Sequence, residues 1–106
     1  MNHRIDEMLE PGSKIGILGG GQLGRMLAVA ATRLGFKSHI FEPAKNSPAS
    51  QVSFQVSTAS YEDEKALIEF AKDVDVITYE FENIPTSALD ICLLYTSDAA
   101  DERLRV

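Results

Sequence analysis

Gly19, Gly21 and Gly24 satisfy the pattern G-x-G-x-x-G within the run Gly19-Gly20-Gly21-Gln22-Leu23-Gly24. That spacing suits the capture of an anion by main-chain amides at the head of a helix. The first glycine permits a tight turn, and the second, expected at positive φ, lets a phosphate approach the backbone. The third lets the helix lie close to the preceding strand. Gln22 adds a side-chain amide that can donate to an anion or read a polar group on a ligand; an exposed first-turn glutamine with no ligand is the other reading. The run lacks the Lys-Ser/Thr ending of a P-loop, so Lys-assisted triphosphate binding is not expected of it.

Three acids follow. Glu42 lies 18 residues after Gly24, where a dinucleotide fold keeps the carboxylate that bonds a ribose 2′-hydroxyl; solvation or local capping is the other reading. Glu80 and Glu82 are two apart and share a face if the strand before them continues. Paired carboxylates bind amines, hydroxyls or a metal, or work as acid and base; as an alternative they are solvent-facing acids at a strand end. Tyr79 and Phe81 between them read as core, and His3 and His39 as packing or surface residues. Tyr61 and Cys92 carry no functional assignment.

These residues need elements to hold them. Pro11-Gly12 closes a leader of residues 1–12, and Lys14–Leu18 reads as a strand buried on both faces. A helix over about 22–34 follows the glycine loop, with Leu23, Met26, Leu27, Ala30, Ala31 and Leu34 as its apolar stripe. Gly35 stops it, and Lys37–Phe41 forms a second strand ending at Glu42. Residues 43–51 are loop, and Phe54–Thr58 is a short third strand. Ser60-Tyr61-Glu62-Asp63 approximates a capping box for a helix over about 63–73. Val74, Val76, Ile77 and Tyr79 mark a fourth strand, and a further helix starts at Thr86–Leu89 behind Pro85. Strands alternating with helices at this spacing predict a Rossmann-like α/β fold, a parallel sheet with right-handed crossovers in three layers. Ligands bind such sheets at the carboxyl ends of the strands, where the glycine loop and Glu80-Phe81-Glu82-Asn83 both fall.

The 106 residues are 44% hydrophobic and 25% charged, which suits one core and is too little for two. No apolar run is long enough to span a membrane, so no membrane partner is expected. The opening MNHRIDEMLEPGSK is too charged for a secretory signal. A single cysteine excludes an internal disulfide, and with two histidines it cannot make a zinc knuckle; a cytoplasmic protein fits these features. Residues 1–58 carry six bases and four acids (+2) and residues 59–106 four bases and twelve acids (−8), together −6. Without a basic stripe, nucleic acid is not an expected partner.

The run Ile15-Gly16-Ile17-Leu18-Gly19-Gly20-Gly21-Gln22-Leu23-Gly24-Arg25-Met26 resembles the opening of the N5-carboxyaminoimidazole ribonucleotide synthetase family of ATP-grasp ligases. Leu34-Gly35-Phe36, Asn46-Ser47-Pro48-Ala49 and Thr78-Tyr79-Glu80-Phe81-Glu82-Asn83-Ile84-Pro85 resemble the same family in the same order. The glycine block alone is a weak signal; joined to the second block about 55 residues later, it is specific. The resemblance covers residues 12–91 and implies an N-terminal preATP-grasp domain, residues 13–91, of a longer enzyme. That family uses ATP and Mg²⁺ to activate bicarbonate as carboxyphosphate and carboxylates 5-aminoimidazole ribonucleotide in purine biosynthesis. The resemblance implies a homodimeric parent and a loop that holds the ribonucleotide phosphate through Gly20, Gly21, Gln22 and Leu23. In the related formate-using glycinamide ribonucleotide transformylase, the residues matching Gln22, Leu23 and Glu80 contact the ribonucleotide; Glu82 and Asn83 are carried with them.

From Cys92 onward the chain departs from the family. Residues 92–106 resemble translated vector or adaptor sequence, so a truncated gene product with a non-native, poorly packed tail is expected. Such a fragment would bind no ATP or Mg²⁺ and would be inactive alone. Two other readings compete: a NAD- or FAD-binding domain of an oxidoreductase, resting on the glycines and Glu42, and a non-catalytic Rossmann-type ligand-binding module.

Overall fold

The computed structural model describes residues 10–79 and 84–96. Four strands, β1 (Lys14–Leu18), β2 (Lys37–Phe41), β3 (Gln55–Ser57) and β4 (Val76–Tyr79), alternate with helices α1 (Gln22–Arg33), α2 (Glu64–Asp73) and α3 (Thr86–Tyr95). A short 3₁₀ turn occupies Pro48–Gln51. The sheet order is β3-β2-β1-β4, all pairs parallel, with Ile17 opposite Ile40 on one side and Thr78 on the other. The expected parallel α/β architecture is therefore the one observed. β1 and β2 have the limits read from the sequence, whereas β3 is shorter at both ends. Phe54 stays outside it, exposed, with the Lys37 ammonium 4.8 Å from its ring centroid.

Strand alternation divides the core into two layers. Ile17 and Ile40 meet Ala28 and Ala49 on the α1 face. Leu18, Phe41 and Ile77 meet Leu67, Phe70, Val74, Ala88 and Cys92 on the face covered by α2 and α3. Gly16 is what lets α2 settle on β1: a Cβ there would come within 2.9 Å of both Phe70 and Val74.

The stripe expected on α1 is only partly the face it buries: Ala31 is buried and Leu27 packs half-buried against the core. Gly24, Ala28 and Ala31 face the sheet, while Leu23, Met26 and Leu34 are exposed. Small residues at that spacing bring the helix axis nearer the sheet than leucines would, and the larger side chains are turned outward. The cap of α2 also differs from expectation. The cap is Asp63, whose Oδ1 accepts from Ala66 N–H at 3.1 Å. Ser60 instead accepts from Glu62 N–H in the preceding turn. Asp63→Ala is expected to cost about 1 kcal/mol, read as a lowered midpoint in urea with an unchanged slope.

α3 continues through the expected boundary at residue 92. Cys92 is fully buried against α2, and Thr96 is also buried, so the expectation of poor packing fails for these two residues. An amphipathic turn needs only apolar side chains at helical spacing, and Ala88 and Cys92 provide them. Burial raises the Cys92 thiol to about 12. Residues 97–106 lie outside the described residues, as does the leader through residue 9.

A polar network crosses the lower sheet beneath α2. His39 is buried edge-on to Phe70. Its Nδ1 lies 2.8 Å from Asp73 Oδ2 and its Nε2 2.7 Å from Ser57 Oγ. A carboxylate only accepts, so Nδ1 carries the proton and the Ser57 hydroxyl donates to Nε2. Lys14 Nζ donates to Asp73 Oδ1 at 2.8 Å. Burial, opposed by Asp73, holds the His39 imidazole below 6.5. Burial pushes the Asp73 carboxyl up, but hydrogen bonds from Lys14 and His39 outweigh it and leave the carboxyl below 3.8.

Both depressed values have the same sign of consequence: the unfolded chain binds more protons than the folded one. Stability is therefore expected to fall as the pH drops through 6.5, where His39 protonates in the unfolded chain, and again through 3.8 by way of Asp73. The check is the urea midpoint against pH, where His39→Phe should remove the decline that sets in as the pH falls through 6.5.

Candidate functional site

The chain leaves β1 toward β2 on one side and returns from β3 to β4 on the other. β1 and β4 stay paired to their last residues, Leu18 opposite Tyr79, but the helices that follow them pack on opposite faces of the sheet, which is where such folds form a crevice outside the strand ends. Gly19 begins the loop at φ +110 and donates its N–H to Phe41 O at 2.9 Å. Left-handed backbone is thus required at the first glycine, not the second. Gly21 has φ −76 and ψ −159 and forms the N-cap of α1, so its expected positive φ is corrected. A side chain on Gly21 would meet nothing within 4 Å; the position is open on the protein side. Gly24 keeps the expected role, because a Cβ there would drive into the Gly19 carbonyl oxygen.

No side chain caps α1. The head of the helix thus presents the amides of Gln22 and Leu23 with the positive end of the dipole behind them. Gln22 is exposed. A small cleft beside this head is lined by Gly19, Gly21, Leu23, Gly24, Leu27 and Tyr79, joining the glycine loop to the carboxyl end of β4. Tyr61, to which the sequence attached no role, brings its hydroxyl within 4.0 Å of where a Gly19 Cβ would stand. It is placed there by stacking of its ring on Phe41, at 5.7 Å between centroids. Sequence spacing gave no signal for this long-range approach. Glu80, Glu82 and Asn83 lie outside the described residues.

Gly20 is buried and its N–H donates to Glu42 Oε1 at 2.6 Å. The second oxygen of Glu42 accepts from Ala44 N–H at 3.0 Å. Ala49 N–H donates to Gly20 O at 2.9 Å, and the fully buried Ala49 sits 3.6 Å from a Cβ built on Gly24. Residues 42–49 thus lie against the loop on the β2 side, where a dinucleotide fold keeps its ribose-binding acid. Glu42 bonds main-chain amides of its own chain. Among the described residues no group of three or more His, Cys, Asp or Glu side chains is placed to hold a metal ion, and no helix is long and apolar enough to cross a membrane.

Residues 12–95 match the ribonucleotide synthetase preATP-grasp domain family. The chain is 60% identical over 82 residues to N5-carboxyaminoimidazole ribonucleotide synthase of Brucella melitensis, covering 77% of this chain and 23% of that protein. It is 48% identical over 83 residues to the Bacillus subtilis enzyme of the same name, covering 78% and 22%. Among solved structures, an ADP complex of N5-carboxyaminoimidazole ribonucleotide synthetase superposes with a TM-score of 0.78 at 47% identity, covering 84% of this chain and 24% of that one. The Aspergillus clavatus synthase in complex with ADP and 5-aminoimidazole ribonucleotide superposes with a TM-score of 0.69 at 40% identity, covering 81% and 23%. The chain spans under a quarter of the length of each of these relatives.

Proposed function

The chain belongs to the ribonucleotide synthetase preATP-grasp domain family, and from that premise we propose that it is the N-terminal domain of an ATP-dependent carbon–nitrogen ligase. The ligase carboxylates 5-aminoimidazole ribonucleotide with bicarbonate in de novo purine biosynthesis. The observation that carries this reading is the family match over residues 12–95, with 60% identity to a synthase of that activity. The open head of α1 beside the β1–β4 crevice supports it from the geometry.

In this reading the ribonucleotide phosphate sits at the head of α1. The Gly21, Gln22 and Leu23 amides hold it, Gly20 shapes the loop behind them, and the Gln22 side chain lies beside it. Glu80 takes ribose hydroxyls or the amine-bearing end of the substrate, with Glu82 and Asn83 next to it. ATP activates the bicarbonate. The chain spans under a quarter of the length of these relatives, and in this reading ATP and Mg²⁺ are held by the remaining three quarters, so that the 106-residue chain alone is inactive. The parent enzyme is a cytoplasmic homodimer.

The test is to recover the gene past Ile91 from the source DNA, express the whole product and follow ADP release. Release that requires both bicarbonate and aminoimidazole ribonucleotide is the expected result. A gene ending near residue 106, or ADP release indifferent to the ribonucleotide, overturns the reading. The first of those outcomes favours a non-catalytic module.

A further inference from the structure

Both polar main-chain groups of Gly20 are taken by the segment that follows β2. Its N–H goes to Glu42 Oε1 at 2.6 Å, and its carbonyl accepts from Ala49 N–H at 2.9 Å. The other Glu42 oxygen accepts from Ala44 N–H at 3.0 Å. One carboxylate therefore fastens residues 42–49 to a loop 22 residues earlier in the chain. The fit is tight: a Cβ on Gly20 would fall 2.6 Å from Ser47 Oγ and 2.9 Å from Glu42 Cβ and Cγ. Glycine is needed there for the carboxylate to reach the amide, whatever the ligand. Charge-assisted bonds to two backbone donors are the strong kind, and they spend the first amide of the loop on an internal anion.

We propose that Glu42 is a positioning and specificity-determining residue: its carboxylate occupies the first amide of the glycine loop, clamps residues 42–49 against it, and restricts the helix head to a single phosphate monoester. The proposal rests on the reading of the head of α1 as a phosphate site. The amides of Gly21, Gln22 and Leu23 remain for a ligand at a helix start that no side chain caps. A ribose 5-phosphate group needs only that set. A dinucleotide carries a second phosphate and a ribose along the loop toward β2. In a dinucleotide fold the acid at this place is turned to the ribose hydroxyls; Glu42 is instead turned to the Gly20 and Ala44 amides, so it meets the incoming phosphate and ribose chiefly with its charge. The Glu42 oxygens, already accepting from two amides, are also less available to ribose hydroxyls.

The test uses the isotopically labelled chain and its Glu42→Gln and Glu42→Ala variants, each verified as folded by the dispersion of its amide resonances. Two readouts are taken: hydrogen exchange at the Gly20 and Ala44 amides, and titration with ribose 5-phosphate and separately with NAD. The wild-type chain should protect Gly20 and bind ribose 5-phosphate in preference to NAD. Glu42→Ala should speed Gly20 exchange by about tenfold or more. Glu42→Gln, which keeps one acceptor and loses the charge, should keep much of that protection. Both variants should lower the preference for ribose 5-phosphate over NAD by about tenfold, a change that a merely structural role would not produce. Unchanged Gly20 exchange in Glu42→Ala overturns the clamp, and an unchanged preference in both variants overturns the specificity. A wild-type chain that binds neither compound overturns the phosphate reading of the loop and the specificity built on it, while Gly20 exchange still decides the clamp.

Discussion

Gly24→Ala is expected to destabilise the domain by about 3 kcal/mol or more, although the same exchange inside an ordinary helix stabilises by about 1 kcal/mol. The sign reverses because the new methyl group would drive into the Gly19 carbonyl oxygen. Gly19 is held in place by its own bond to Phe41 and by a positive φ, so the loop cannot yield. The helix would have to lift from the sheet instead, parting Ala28 and Ala31 from Ile17 and Ile40. For a chain of this size the melting temperature should fall by roughly 10 °C or more. Gly21→Ala is the control: it has a compatible φ of −76 and nothing within 4 Å, and it should cost less than about 1 kcal/mol. A small change at Gly24 would show that the helix–loop contact is softer than its geometry.

Gly21→Val is expected to leave the fold intact and to damage ribonucleotide use in the complete enzyme. The position is open on the protein side, and its extended ψ of −159 accommodates a β-branched residue. The side chain therefore obstructs only what approaches from outside, which is the phosphate in the reading given above. kcat/KM for aminoimidazole ribonucleotide should fall by about tenfold or more while the KM for ATP changes by less than about twofold. Glu80→Gln should lower the same parameter through lost charge-assisted hydrogen bonding. Steady-state kinetics with each substrate varied in turn decide the matter. Effects confined to ATP would remove the ribonucleotide from the glycine loop and with it the roles of Gln22, Leu23 and Glu80.

Local chemistry was legible in the sequence because it depends on near neighbours. A short apolar run followed by glycines sets the limits of β1, since burial on both faces leaves a continuous signal, while β2 (Lys-Ser-His-Ile-Phe) is bounded by Gly35 before it and Glu42-Pro43 after it. The G-x-G-x-x-G spacing placed the helix start at Gln22, and strand–helix alternation determined the parallel sheet. The stripe was right for Ala31 and Leu27, but the tertiary structure decided that Gly24 and Ala28 are buried while Leu23 and Met26 are exposed, because close approach at Gly24 centres the buried face on the small residues. The structure also shows that Asp63, not Ser60, caps α2, because the helix starts at Glu64 and Ser60 closes the turn before it. Above all it decided the partner of Glu42. Spacing put that acid at the end of β2, but its bond to Gly20 joins residues 22 apart and exists only once β1 and β2 lie side by side.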